Sequence, residues 1–332
     1  MNHSHSFFKS RKVLITGGLG FIGSNLTLEL VKQKADVTLV DNFLPDHGAN
    51  WRNIREIRPS VRVNLCDVRD LHSMRELLAD TEIIFHLAGQ GSHVLSLKNP
   101  FPDIDLNITA TAILLELVRE LKLNPVIVYT GTRGQYGKAM KLPVAEDQPS
   151  SPRGIYELTN LTAEKMMQIY HWNHHLRTVP LRLTNIYGPR AQMHHPHFGV
   201  VNWFVRLALT GKPITVFGDG KIRRDFIYVE DCVQALLRAA QLQENFGEII
   251  NIGNDQPRCF LDVADILCEL IPGTSYQFTA FTAERAAQEP GDFYSDITKA
   301  RRILSWEPKV ELREGLARTV KYYKDCLEDY IG

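Results

Sequence analysis

Tyr156 and Asn160 stand four residues apart in "YELTN", one helical turn apart on one face. A phenol can exchange a proton with an alcohol. Its reference pKa of about 10 keeps it protonated at neutral pH, however, so it works as a base only beside a positive charge. Residue 160 is an amide, which hydrogen-bonds but brings no charge. Upstream, "YTGTRGQYG" (129 to 137) carries the hydroxyl of Thr132 and, directly after it, Arg133. In "LAGQGSH", Ser92 and His93 follow an apolar run, at the carboxyl end of a strand, where open α/β sheets bind ligands. The reference pKa of His93 suits proton transfer, although a polar loop residue is the plainer account of it.

These residues need a scaffold, and the sequence describes one. From about residue 12 to residue 190, strand-like runs ("KVLITGG", "DVTLVDN", "RVNLCDV", "EIIFHLAG", "PVIVYTGT", "TVPLRLTNIYG") alternate with segments of helical period. Strands alternating with helices predict an α/β fold, a doubly wound parallel sheet covered on both faces. In "LITGGLGFIGSNL", Gly17, Gly20 and Gly23 recur every third residue and Gly18 completes a GxGxxG, with a helix expected from Ser24. Glycines there let backbone approach a pyrophosphate, and the helix start behind them offers free N–H groups. Asp41 ends the next strand, where a carboxylate accepts ribose hydroxyls and repels a 2′-phosphate, favouring NAD over NADP. Asp67 and Val68 close the third strand at a position suited to an adenine.

After Tyr187 the rhythm loosens, and a smaller C-terminal α/β lobe is expected. The predicted division gives residues 10–184 to a Rossmann domain, with 225–254 returning to it, and 185–224 and 255–332 to the second lobe.

"FHLAGQ", "YTGTRGQYG" and "YELTN" together resemble the extended short-chain dehydrogenase/reductase family, in particular its nucleotide-sugar epimerases, dehydratases and decarboxylases. "LRLTNIYGPR", "FGDGKIRRDFIYVEDC", "NIGN", "PGDFYSD" and "LSWEPKV" extend the likeness over nearly the whole chain. The resemblance implies that Thr132 contacts the substrate, Tyr156 exchanges a proton and NAD exchanges a hydride, with Asn160 where the family has a lysine. It assigns the cofactor to Gly17, Gly20, Phe21, Ile22 and Gly23, Asp41 and Asn42, Asp67 and Val68, Leu87, Ala88 and Gly89, Asn107, Tyr156 and Asn160. It assigns a nucleotide-sugar substrate to Ser92, His93, Thr132, Arg133, Asn185, Arg224 and Asp292. Two cations could replace the lysine: the nicotinamide ring of the oxidised cofactor, which is preferred, or Arg133.

The same resemblance bears on the reaction. Dehydratases are expected to carry Asp-Glu after the threonine and decarboxylases a Ser-Glu pair, whereas Arg133 and Gly134 follow here. Epimerisation at C4 is therefore the leading expectation, with 2-epimerisation, decarboxylation or dehydration as alternatives and a non-catalytic NAD-binding sensor as a third. The family's second phosphate arginine is replaced by Glu289 in "EPGD", and Arg285 is the nearest substitute. A homodimer is expected through helices at 103–120 and 155–170.

Bulk properties narrow the partners. Lys plus Arg and Asp plus Glu both total 38, so no broad basic face for nucleic acid or anionic lipid is predicted. The five cysteines include no CxxC pair, and "MHHPH" (193 to 197) has no carboxylate or cysteine spaced to complete a metal site, so none is expected. "MNHSHSFFKSRK" reads as neither signal peptide nor membrane span, which makes a cytoplasmic location the default.

Overall fold

The computed structural model describes residues 7–45, 47–282, 286 and 289–331; Arg285 and the first six residues lie outside them. Its centre is a sheet of seven parallel strands: β1 (Lys12–Thr16), β2 (Asp36–Asp41), β3 (Arg62–Leu65), β4 (Ile83–His86), β5 (Val126–Thr132), β6 (Arg177–Leu183) and β11 (Ile250–Ile252). Their order is β11-β6-β5-β4-β1-β2-β3. Successive residues of a strand face opposite sides, and both sides here are covered. Val13, Ile15, Leu39, Phe85 and Val128 pack on one face with Leu26 and Leu30 of α1 (Phe21–Lys32). Leu14, Val40, Ile84 and Ile127 pack on the other with Leu114 and Leu115 of α4 (Ala110–Glu120) and Met167 of α5 (Ile155–His174). That two-sided burial is why the strands read as unbroken apolar runs.

The strand order reverses between β1 and β4, which opens a crevice at their carboxyl ends. α1 begins at Phe21, three residues before the Ser24 expected from the sequence. Gly20 serves as N-cap, and the Gly20 N–H returns to the Gly17 carbonyl at 3.2 Å, so the turn closes earlier. Gly17 has φ +70°, and a Cβ on Gly23 would lie 2.3 Å from the Gly17 oxygen. Both positions therefore demand glycine.

Beyond β6 the chain forms short pairs: β7 (Asn185–Tyr187) with β10 (Phe226–Tyr228), β8 (Ile214–Phe217) with β13 (Tyr276–Thr279), and β9 (Arg223–Arg224) with β12 (Arg258–Cys259). A separate core gathers Phe204, Val205, Val216, Val263, Leu267, Leu316 and Tyr323. α7 (Val229–Ala240) instead sends Cys232, Ala235 and Leu236 into the core of the main sheet. All five cysteines are free, and no described helix is long and apolar enough to cross a membrane.

Candidate active site

The Gly-rich turn meets the end of β4 closely: a Cβ on Gly17 would stand 3.0 Å from the Ala88 nitrogen. No side chain caps α1, so the first amides of that helix, from Phe21, Ile22 and Gly23, face the crevice unshielded by a cap. Asp41 is buried at the end of β2. Its carboxylate accepts the Leu19 and Phe43 N–H groups, both at 3.0 Å, and burial raises its pKa despite them. The remaining lone pairs can receive ribose hydroxyls. Asp67 is held by both sides of the Arg69 guanidinium at 2.9 and 2.7 Å, and that contact brings it down to about 2; the Asn42 amide adds a bond at 3.2 Å. Val68 is buried behind it. A tight backbone cradle, an uncapped helix start and a buried strand-end carboxylate together fit a dinucleotide.

A buried polar thread ties this shelf to the catalytic helix. Thr16 Oγ1 accepts the Leu87 and Ala88 N–H groups, both at 3.1 Å, so its own hydrogen goes to His86 Nδ1 at 2.9 Å. His86 Nε2 then donates to Thr111 Oγ1 at 3.1 Å, and Thr111 donates to the Asn107 carbonyl at 2.7 Å. The Asn107 side chain accepts the Gln90 N–H at 3.0 Å and donates to Thr159 Oγ1 at 3.0 Å; Thr159 donates to the Tyr156 carbonyl. A Cβ on Gly89 would collide with Asn107 Oδ1 at 2.7 Å.

Burial pushes His86 down to about 4, so it is neutral in the fold. A histidine depressed below its unfolded value of about 6.5 contributes stability above that pH and loses it as pH falls towards 4. We expect on the order of 3 kcal/mol to disappear over that window. Urea unfolding at pH 7.5 and pH 4 should show the loss in the native chain and a smaller one in His86→Gln; equal losses would contradict it.

Thr132 ends β5 and caps the short turn Arg133–Tyr136: its Oγ1 accepts the Gly134 N–H at 3.1 Å, and its N–H donates to Gln135 Oε1 at 2.8 Å. Tyr156 stands in the first turn of α5, near the side chain of Thr132. Burial above all, then Glu157, pushes the phenol up to about 12, while Thr132 and Arg133 pull the other way. Asn160 does not reach the phenol. Its Nδ2 donates to the Tyr156 carbonyl at 2.8 Å and its Oδ1 accepts the Tyr129 hydroxyl at 3.1 Å.

His93 is at the start of α3 (His93–Lys98), whose cap is the buried Ser92. The imidazole and Tyr156 rings pack in a T-shaped arrangement, centroids 4.7 Å apart, and the imidazole Nδ1 hydrogen-bonds Glu157 Oε1. Glu157 is a residue that the sequence did not single out. Burial raises its pKa, but the bond to His93 and the charges of His93 and Arg133 bring it below the ordinary value. A Cβ on Gly134 would lie 2.6 Å from Glu157 Cγ. A carboxylate from α5 thus fills the space beside Gly134 where the sequence shows no acid. Asp103 is a second unheralded acid: buried, bonded to Gln90 Nε2 at 3.1 Å through one oxygen, without a partner at the other, and raised by burial to about 6.

Arg133 lies over the Phe293 ring at 4.9 Å, and no described residue accepts a hydrogen bond from it. Burial, then the charge of Arg224, lowers its pKa to about 10. Arg224 is buried and committed to the Arg223 carbonyl, the Gly291 carbonyl and the Glu289 carboxylate. Asn185 donates to the Asp225 carbonyl at 2.9 Å, and Asp292 is held by the Arg223 backbone and side chain at 2.8 and 2.7 Å. In "MHHPH" the His195 and His197 rings are 4.9 Å apart. Among the described residues no group of three or more His, Cys, Asp or Glu could hold a metal ion.

The sequence model of the NAD dependent epimerase/dehydratase family matches residues 13–253. The chain is 31% identical over 329 residues to the UDP-N-acetyl-alpha-D-glucosaminuronate decarboxylase of Bacillus cytotoxicus, across 96% of this chain and 99% of that one. The UDP-glucose 4-epimerase of Thermotoga maritima, solved with UDP-glucose, superposes with a TM-score of 0.86 at 29% identity, over 95% of this chain and 99% of the other. The UDP-glucuronic acid 4-epimerase of Bacillus cereus, solved with UDP-glucuronic acid and NAD, gives a TM-score of 0.85 at 31% identity over the same shares.

Proposed function

The chain belongs to the NAD-dependent epimerase/dehydratase family, and from that premise we propose that it is a nucleotide-sugar epimerase acting at C4 of the sugar. The cofactor is NAD. It would lie along Gly17–Gly23, Asp41, Asp67 and the Leu87–Gly89 shelf, and when bound it supplies a two-electron acceptor and donor. The observation that supports the reading most is the placement of Tyr156, at the start of α5, near Thr132, at the end of β5, where the threonine favours the ionised phenol. Thr132 holds the sugar 4-hydroxyl and Tyr156 exchanges its proton, while the nucleotide end lies towards Asn185, Arg224 and Asp292. The 4-keto sugar would turn over in the cleft, take the hydride back on the other face of C4 and its proton back from the same phenol, so net redox is zero.

Glu157 favours a second reading. A carboxyl beside Gly134 suits elimination or loss of a sugar carboxylate coupled to the same oxidation. A panel of UDP-sugars and UDP-uronic acids, resolved by mass and chromatography, separates the two. An epimer of unchanged mass supports the first; a product lighter by water or carbon dioxide supports the second. Binding without any product would refute both and leave a sensor.

For a second copy of the chain, the exposed Phe101 before α4 and the exposed Leu158, Ile169 and Trp172 on α5 provide an apolar face. Light scattering that reads only monomers would refute that dimer.

A further inference from the structure

The family reading leaves one chemical gap: Tyr156 must release a proton, yet position 160 brings no cation and the two nearest acids, Glu157 and Asp103, oppose ionisation of the phenol. A phenol that cannot persist as phenolate can still transmit a proton if its own leaves as the new one arrives. What it then needs is an adjacent acceptor.

We propose that His93, seated on Glu157, is that acceptor: it receives through Tyr156 the proton of the sugar hydroxyl being oxidised, and so does the work for which residue 160 is unsuited. The inference rests on the nucleotide-sugar reading above. Four observations carry it. The His93 and Tyr156 rings pack in a T-shaped arrangement with centroids 4.7 Å apart. Its Nδ1 is bonded to a carboxylate, which accepts only, so Nδ1 carries a hydrogen, and in the neutral ring Nε2 is left with its lone pair. No described residue, the Tyr156 hydroxyl included, bonds Nε2 in the substrate-free fold, and about half of the side chain (52%) is exposed, so one water can carry the proton from the phenol to it. The fourth is the room made for Glu157. A Cβ on Gly154 would stand 2.3 Å from its Oε2 and a Cβ on Gly134 2.6 Å from its Cγ, and Oε2 itself is buried without a partner.

The step balances. The sugar O–H bond breaks as a new O–H forms on Tyr156, and the original Tyr156 O–H breaks as Nε2–H forms. The phenol ends neutral, and the imidazolium is compensated by Glu157; the C–H bond of the oxidised carbon breaks as its C=O forms, and that hydrogen leaves with its electron pair to the dinucleotide. The charged and titratable groups around His93 are Glu157 and Tyr156 from α5 and Asp103 from the segment after α3, with Arg133 acting on Glu157 from the turn after β5. Position 93 thus takes a base and position 157 the acid that orients it, a pairing known from other general-base sites.

Two measurements test this. Nitrogen-15 spectra of histidine-labelled, substrate-free protein should show neutral His93 as the Nδ1–H tautomer, and the Nε2–H tautomer would overturn the proposal. With whichever nucleotide sugar the panel identifies, His93→Gln should lower kcat about 100-fold, change KM less than about threefold, and remove the imidazole limb from the pH profile. Asn160→Lys placed in the His93→Gln chain should recover at least about tenfold of the lost kcat, and no recovery would count against the relay. A His93→Gln variant that folds and keeps native kcat and pH profile would sink the relay and leave the epimerase intact. A native chain inert towards every nucleotide sugar would sink the epimerase, and the tautomer would still decide the state of His93.

Discussion

Tyr156→Phe is expected to lower product formation about a thousandfold while leaving urea stability within about 1 kcal/mol of the native chain. The two effects separate because of what the hydroxyl touches. It lies near the Thr132 side chain, which stays bonded to the Gly134 N–H when the phenol oxygen is removed. The ring stays, so its contact with His93 stays. The chemistry does not survive, because both proton routes considered above pass through the lost oxygen. Product assay and chemical unfolding on the same preparation check this. A phenylalanine variant keeping a tenth of native turnover would remove Tyr156 from the reaction.

Glu164→Leu is expected to cost about 3–5 kcal/mol of unfolding free energy, the usual loss when one partner of a buried ion pair is removed. Glu164 and Arg182 side chains are 1% and 2% exposed, and two bonds of 2.7 Å join them. Arg182 also lies over the Tyr136 ring at 4.2 Å, and one of its nitrogens is already buried without a partner. Taking away the carboxylate would leave a guanidinium with little water and no counter-charge. The loss reaches the site, because Gln135 donates to Glu164 at 2.7 Å and accepts the Thr132 N–H. The double variant Glu164→Leu with Arg182→Met should recover much of the stability, since an apolar pair replaces a buried salt bridge at little cost. Urea midpoints for the three variants give the comparison; a single variant within 1 kcal/mol of native would contradict it.

How much of this was legible beforehand follows from distance along the chain. The strands of the main sheet were readable because two-sided burial writes itself as continuous apolar residues, and the cradle at Gly17–Gly23 because a tight turn demands glycine locally. The family resemblance, and with it NAD, rested on such local signatures and agrees with the family match. What could not be read was any contact between distant residues. Nothing in "RGQYG" announces that Glu157 fills the space at Gly134, and nothing in "FPDIDLN" joins Asp103 to Gln90. His86 looked like one more strand residue until its neighbours Thr16 and Thr111, at separations of 70 and 25, supplied its hydrogen bonds. The start of α1 was misplaced because Gly20 caps it through backbone alone. Arg224 was expected to wait for phosphate, whereas Glu289, itself noted as a departure, occupies its fork.

The bond from Gly134 N–H to Thr132 Oγ1 has one more effect. With a backbone donor on that oxygen, one of its two lone pairs is spent, and the hydroxyl keeps its hydrogen and one lone pair for the cleft. An alcohol settling there meets an anchored oxygen and not a freely turning one. That anchoring belongs to the main chain, where substitution of side chains cannot easily reverse it.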